Sequence, residues 1–471
     1  MLEQSPRSTA RHAHAEFQVT SRESVSSFGG YGVQFNQHVY ARITGLPAEQ
    51  LDDLEAKVVA LAPHLVRLFY NPRQEGNPAD PGQTDVQKDN WSSFVESARL
   101  AQRAGATLNV TWQSGAVDTS AEREASMGGF AEVLARLAHD HGVSALRWVT
   151  IQNEPNSPPP PGRTKAVTPD RLAELYEILD RRLAALGLRD LVRFMGGDLI
   201  EGSRDPRSPL SQHRWFERLA GGLADLFDAY AVHIYWDYDD PGRFEQRLDD
   251  VRRIVDGLTH PKPIFVTEYG TRSKDRHEQG VVDPGTFHGT PLCRTAIAAF
   301  QAAWFQIRAA QLGYAGAIKW DCYFGRYDDG RQAYYAIGEP GREGWQLYPT
   351  YFLLRLFTLT TQPGWRVLAV DRRAGRDTRE VAGFAGPQGE VSVLGLDTRG
   401  SGLNGTSSSL APFTIGGLPP STRFELLLWN RSGNGKLAVG HPVLSDAAGI
   451  ASLEIPIHSV FALTTRSAVG L

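Results

Sequence analysis

Two glutamates stand where a pair of carboxylates could do chemistry together. Glu154 follows the apolar stretch Val149-Thr150-Ile151 in the run Gln152-Asn153-Glu154-Pro155-Asn156, and Glu268 follows Ile264-Phe265-Val266 in Thr267-Glu268-Tyr269-Gly270. They are 114 residues apart, each at the end of a short strand-like segment. Two carboxyl groups facing across one cleft can cleave a glycosidic acetal. One donates a proton to the leaving oxygen while the other stabilises or captures the oxocarbenium-like carbon. The donor needs a raised pKa and its partner must stay ionised, so the two need different surroundings.

The elements that could bring them together are regular. Between Tyr31 and about Thr361 eight apolar runs alternate with amphipathic stretches: Tyr31 to Asn36, Leu65 to Tyr70, Thr107 to Trp112, Leu146 to Gln152, Val192 to Gly197, Ala229 to Tyr235, Pro263 to Thr267 and Ala315 to Trp320. Their starts lie 34 to 52 residues apart, room for one helix and two loops each time. That is the pattern of a (β/α)8 TIM barrel, whose active site lies at the C-terminal ends of its parallel strands. Glu154 then ends the fourth strand and Glu268 the seventh, so they face each other across the mouth. Between strands, Leu172, Leu175, Tyr176, Leu179, Leu183 and Leu186 recur at helical spacing, with Thr168 as cap and Pro169 at the first position. Asp237, Asp239 and Asp240 before Pro241 read as a solvated loop or helix start, since they lack the glycine and distal glutamate of a calcium loop.

After Pro363-Gly364 the texture changes to short strands between Gly, Pro, Asp and Ser turns: Trp365 to Val370, Glu380 to Phe384, Glu390 to Leu396, Phe424 to Leu428, Gly449 to Ile455 and Val460 to Thr465. This predicts a C-terminal antiparallel β-sandwich domain over 362–471, behind a catalytic barrel over 28–361. The lead, 1–27, contains a strand-like segment, Ala15 to Thr20, able to join the sandwich.

Composition narrows the partners. The net charge of −4 and pI of about 6.4 provide no basic field for nucleic acid or an anionic membrane. No apolar run reaches the ~18 residues needed to span a bilayer. Two cysteines, Cys293 and Cys322, are too few for a disulfide framework or a thiolate metal cage. Met1 to Phe17 has no apolar core of a secretory signal, so the expected location is cytoplasmic. No spacing of His and carboxylates suggests zinc and no glycine-rich fingerprint follows a strand, so neither metal nor cofactor is expected.

At this point the motifs carry a resemblance. Asn153-Glu154-Pro155 with Glu268 resembles glycoside hydrolase clan A, the retaining (β/α)8 enzymes. Asn153-Glu154-Pro155-Asn156 and Met195-Gly196-Gly197 are similar to family 39, although Gln152 stands where that family usually has Trp. Gln152-Asn153-Glu154-Pro155 and Phe28-Gly29-Gly30-Tyr31-Gly32 are similar to family 30. The resemblance implies Glu154 as acid/base, Asn153 on the sugar 2-hydroxyl and Glu268 as nucleophile. It makes Arg67 the arginine holding that nucleophile ionised, Tyr235 its hydrogen-bond donor and Trp320 the aromatic floor. An arginine inside the apolar Val66-Arg67-Leu68 is costly unless it meets a carboxylate, which points to the same role for Arg67 independently. Trp112, Gln113, Asn36, His38, His233, Asp198 and Asp321 lie at or near strand ends and are candidate sugar contacts, with Trp112 and Trp320 also open to a packing role and His233 to that of a satisfied core histidine.

The loops Asn71 to Asn90, Thr271 to Thr290 and Cys322 to Pro349 are long for α/β connections. The last carries Tyr323, Phe324, Tyr327, Tyr334, Tyr335, Trp345 and Tyr348, which are expected to wall the site into a pocket. The reading is a glycosidase removing a terminal sugar from a small carbohydrate, a β-xylosidase or β-glucosidase in type. An α-L-arabinofuranosidase, a transglycosylase, an endo-acting glycanase and a noncatalytic carbohydrate-binding barrel are the alternatives.

Overall fold

The computed structural model describes residues 16–113, 117–158, 167–205, 207–272, 286–287, 290–324, 334–341, 344–372, 378–401, 409–431 and 435–467. Most of the N-terminal lead, the end of the Pro158 to Pro161 loop, most of the loop after the seventh run and Tyr327 lie outside the described residues.

The strand β1 (Phe17–Val25) precedes seven barrel strands: β2 (Gly30–Gln34), β3 (Leu65–Tyr70), β4 (Thr107–Trp112), β5 (Leu146–Ile151), β6 (Arg193–Leu199), β7 (Ala229–Asp237) and β8 (Ile264–Arg272). The short pair β9 (Thr286–Phe287) and β10 (Thr290–Pro291) follows, and β11 (Gly316–Lys319) then closes the barrel between β8 and β2. All eight barrel ladders are parallel. The eight runs read from the sequence are these strands, and the (β/α)8 fold class is the one observed. Residues of β3 are buried throughout, as strands covered on both faces must be.

The helices are α1 (Ala48–Leu61), α2 (Asp85–Arg103), α3 (Ser120–Ala135), α4 (Pro169–Ala185), α5 (Gln212–Gly222), α6 (Gly242–Asp256), α7 (Ala296–Gln311) and α8 (Pro349–Thr360). Four of them start the same way. Thr84, Thr119, Thr168 and Thr295 each accept a hydrogen bond from the backbone N–H three residues on, a cap worth about 1 kcal/mol. Helix α6 begins just after the acidic cluster and Pro241. No described helix is long and apolar enough to cross a membrane.

Strands β7 and β8 run past their expected ends at Tyr235 and Thr267, pairing as far as Asp237 with Arg272. Glu268 therefore lies within a strand rather than after it. The ladder shifts between Val232 and His233, so one residue of β8 is extra and His233 pairs directly with Glu268. Such a bulge re-aims side chains, and it lets both Thr267 and Glu268 face the site.

Behind the barrel, the hairpin β12 (Ile337–Gly341) and β13 (Gly344–Leu347) precedes a 10-stranded, mostly antiparallel sheet. Its remaining strands are β14 (Arg366–Arg372), β15 (Arg379–Ala385), β16 (Val391–Asp397), β17 (Leu410–Gly416), β18 (Arg423–Asn430), β19 (Leu437–Val439), β20 (Val443–Leu444), β21 (Ala451–Pro456) and β22 (Ser459–Thr464). Strand β1 sits mid-sheet, antiparallel to β14 and parallel to β17. Phe413 of β17 and Phe461 of β22 are far apart along the ladder, yet their rings lie 4.9 Å apart, so the sheet folds over into two layers. It docks on α7 and α8 through Phe300 against Trp429, whose Nε1 donates to the Pro349 carbonyl.

Candidate active site

Arg67, fully buried on β3, organises the centre of the barrel mouth. Nη1 donates to Glu268 Oε1 at 2.5 Å and Nη2 to Asp198 Oδ2 at 2.5 Å. Nη2 also reaches Asn153 Oδ1 at 2.9 Å, while Nε donates to Thr111 Oγ1 at 2.8 Å. A guanidinium buried among apolar strands holds its place only because two carboxylates meet its charge. Glu268 is thereby fixed at both oxygens, since Tyr235 donates its hydroxyl to Oε2 at 2.8 Å.

His233 joins the second carboxylate to this network. Its Nδ1 lies 3.0 Å from Glu154 Oε1 and 3.4 Å from Glu268 Oε2, and its Nε2 lies 3.5 Å from Asp198 Oδ1. A Glu154 oxygen, a His233 nitrogen and a Glu268 oxygen all fall within 4.8 Å of one another. Glu154 differs from Glu268 in being open to the cleft, its side chain 30% exposed. The backbone here is left-handed at non-glycine residues: Gln152 (φ 67°), Glu154 (φ 44°) and Asp198 (φ 53°). Each such residue costs about 1 to 3 kcal/mol and is held by its surroundings, a pattern that clusters at functional sites.

The charges set each other. Burial would pull the His233 imidazole down, but Glu268 and Asp198 outweigh it and raise its pKa to about 10. Burial likewise pushes Asp198 up, and Arg67 with His233 reverses this, holding it well below the usual carboxylate range. Burial and the Glu268 charge raise the Tyr235 hydroxyl, which keeps it a donor. One ligand atom each from Glu154, His233 and Glu268 falls within 4.8 Å of the others, a spacing that could approach a cation.

Of the residues expected from sequence, Glu154, Glu268, Asn153, Tyr235, His233, Trp320 and Gln113 line one cleft of about 370 Å³. Arg67 and Asp198 lie beneath it, fully buried. Four expected contacts are elsewhere. Trp112 is fully buried in the hydrophobic core, because side chains alternate along a strand and it is the next residue, Gln113, that faces the cleft. Asp321, just past the end of β11, is buried beside Lys319, whose Nζ donates to the Tyr334 carbonyl at 3.0 Å. Asn36 is buried too, its side chain accepting from the His38 backbone at 3.0 Å. His38 pairs with buried Glu75 at 2.6 Å and anchors the loop after β3.

The aromatic wall also needs correcting. Tyr323, Tyr334, Tyr335, Trp345 and Tyr348 are buried and none lines the cleft. They pack the β12–β13 side of the barrel, where Trp345 Nε1 donates to the Gln50 carbonyl, and Tyr334 packs edge-on against Tyr235. Missing from the sequence reading were Phe69, Ile200, Glu201, Gly202, Ile234, Arg247 and Arg272. Arg247 lies in a helix, where no strand-end argument reaches it. Glu201 lies two residues past the end of β6 and could have been found by the same rule that found Glu154.

No protein-family profile matches the chain, and no curated protein sequence does. Solved structures match over nearly the whole chain. The catalytic domain of a GH30 xylanase C from Talaromyces cellulolyticus aligns with a TM-score of 0.64 at 12% identity, covering 96% of this chain and 100% of that one. An α-L-arabinofuranosidase from Thermotoga maritima aligns at 0.65 and 12%, with the same coverage. A family 51 α-L-arabinofuranosidase from Bifidobacterium longum aligns at 0.64 and 13%, again over 96% and 100%. The barrel with its appended sheet is thus the fold of solved glycoside hydrolases of families 30 and 51, the former anticipated by the motifs and the latter not.

Proposed function

We propose that the protein is a retaining glycoside hydrolase that removes a terminal sugar from a small glycoside or oligosaccharide. The observation that carries this reading is the meeting of Glu154 and Glu268 oxygens within 4.8 Å, beside His233. Retaining pairs stand about 5 to 5.5 Å apart, whereas inverting pairs need about 6.5 to 9.5 Å to admit a water. The cleft, about 370 Å³, is at the small end of the range of about 300 to 1,000 Å³ for compact ligands.

In the first step Glu154 gives its proton to the glycosidic oxygen, which departs as an alcohol, while a Glu268 oxygen bonds to the anomeric carbon. In the second, Glu154 takes a proton from water as the water oxygen attacks that carbon, and Glu268 leaves as carboxylate. The donors suit these roles. Arg67 and Tyr235 fix both Glu268 oxygens, whereas the Glu154 carboxyl has, among the described residues, His233 at 3.0 Å and faces the cleft. Asn153 gives its carbonyl oxygen to Arg67, which leaves its amide N–H groups for a sugar hydroxyl. Trp320, half-buried at the cleft floor, presents a face on which a sugar ring can pack.

The glycone is a β-D-pyranose of the xyloside or glucoside type. A second reading, α-L-arabinofuranoside, is favoured by the likeness to two arabinofuranosidase structures. A panel of aryl β-D-xylosides, glucosides and galactosides with aryl α-L-arabinofuranosides separates them. The expected outcome is turnover of one class with net retention, and failure on every member would refute terminal-sugar removal.

A further inference from the structure

The cleft continues past Glu154. A second cavity, of about 260 Å³, meets it along Glu201 and Arg247, which line both. Ile254 is the single apolar residue among those lining this second space, so it is built for a hydrophilic occupant.

Its position relative to the proton donor is fixed. Glu201 follows β6, the barrel neighbour of the strand that presents Glu154. Asn156, buried two residues beyond Glu154, staples the two loops together. Its Nδ2 donates to the Ile200 and Leu210 carbonyls at 2.9 and 3.2 Å, and its Oδ1 accepts from the Ile200 N–H at 3.0 Å. Gly202 allows this approach. Its φ is +60°, and a Cβ there would stand 1.9 Å from the Leu210 carbonyl oxygen and 2.9 Å from Asn156 Nδ2. Because Glu154 delivers its proton to the leaving oxygen, a cavity tied to the Glu154 loop lies where the leaving group emerges.

The charge in that wall is unbalanced. Glu201 is bonded by Arg204 at 2.8 Å and by Arg243 at 2.5 Å, and Asp250 is taken by Arg253 at 2.9 Å. Arg247 is left with the neutral Gln212 Oε1 at 3.1 Å and stands 3.6 Å from the already shared Glu201. It is only 6% exposed. A buried guanidinium without its own counter-ion is costly, and its planar fork matches a ligand carboxylate. Burial outweighs the attraction of Glu201 and Asp250, both already bonded to other arginines, and draws the Arg247 pKa below its ordinary value.

We propose that this cavity is a leaving-group subsite for an acidic sugar, whose carboxylate is received by Arg247. The term leaving group rests on the glycosidase reading, but the binding itself does not require turnover. Ligand-observed NMR titrations with D-glucuronate, D-glucose and acetate test it. A charge-assisted contact in a shielded site predicts that wild type binds glucuronate about tenfold more tightly than glucose or acetate. Arg247→Met should bring the three within about twofold. Gln212→Glu, which keeps the arginine and supplies its counter-charge, should do the same and guards against a misfolded first variant. Equal binding of the three by wild type, or a preference that survives Gln212→Glu, would overturn the proposal. Acetate binding as tightly as glucuronate would overturn its sugar component. Selective glucuronate binding without turnover of any glycoside would sink the glycosidase reading alone, whereas turnover without selectivity would sink this one alone.

Discussion

Replacing Arg67 by methionine tests the organisation of the site most directly. The substitution keeps an unbranched chain of similar reach but removes a charge that two buried carboxylates share, Asp198 and Glu268, each at 2.5 Å. Deleting one partner of a buried ion pair costs about 3 to 5 kcal/mol, because the other is left uncompensated. Asp198 is fully buried and would keep only His233 and Thr267, so the upper end of that range is expected at neutral pH. Asp198→Asn in the same background removes the stranded charge and should recover part of the loss, with a coupling energy of about 2 to 3 kcal/mol. Urea unfolding of the wild type, both single variants and the double variant measures this cycle. The penalty should also shrink in acid. Arg67 and His233 hold Asp198 below the usual carboxylate range, so its stabilising contribution is present above that range and is lost as pH falls. The variant has already lost most of it, and the two curves converge. In the same variant kcat/KM should fall at least about a hundredfold, since Glu268 loses the donor on Oε1. A loss below about 1 kcal/mol, or effects of the two substitutions that add within about 0.5 kcal/mol, would refute the shared-charge argument.

Glu268→Ala should abolish turnover, and azide should restore it on an activated aryl glycoside with a product of inverted configuration; rescue without inversion would contradict the nucleophile role. Glu154→Gln should lower the rate about 10²- to 10⁴-fold on substrates with poor leaving groups and much less on a dinitrophenyl glycoside. An ordinary rate with a poor leaving group would remove Glu154 from the acid role. His233→Gln should destabilise the protein at neutral pH. The histidine's raised pKa, about 10, means that its favourable charge is fully present below about pH 6.5 and disappears as pH rises through about 10. Urea midpoints of wild type and variant should therefore approach each other between pH 7 and 10, and parallel curves would show that His233 is neutral.

Much of the molecule was legible from local pattern. Barrel strands are short apolar runs buried on both faces, and each must be followed by a helix to return the chain, so their count and spacing announce the barrel. The same logic made Glu154 and Glu268 stand out, because a carboxylate at the end of a buried strand has no structural reason to be there. Strand β17 was missed since Pro412 interrupts an otherwise alternating pattern, and its antiparallel partner, β21, lies some forty residues on. Strand β1 gives no sign that it belongs between β14 and β17, because hydrogen-bond partners hundreds of residues away leave no mark on a nine-residue segment.

What the chain determined by itself was therefore the kind of scaffold and the pair of glutamates it could bring together. Tertiary structure decided the rest. Whether a strand-end residue faces the cleft is decided by its local backbone and packing: the pleat turns Gln113 toward it and Trp112 away, and Trp320 lines it while Asp321 is buried beside Lys319. Closure of the barrel brought His233 among Glu154, Glu268 and Asp198, where the charges of Glu268 and Asp198 outweigh burial and raise its pKa. It also set Arg247, on a helix outside the barrel strands, beside a loop stapled to the one that carries Glu154. Charge and distance there are properties of several chain segments at once, and a linear pattern carries neither.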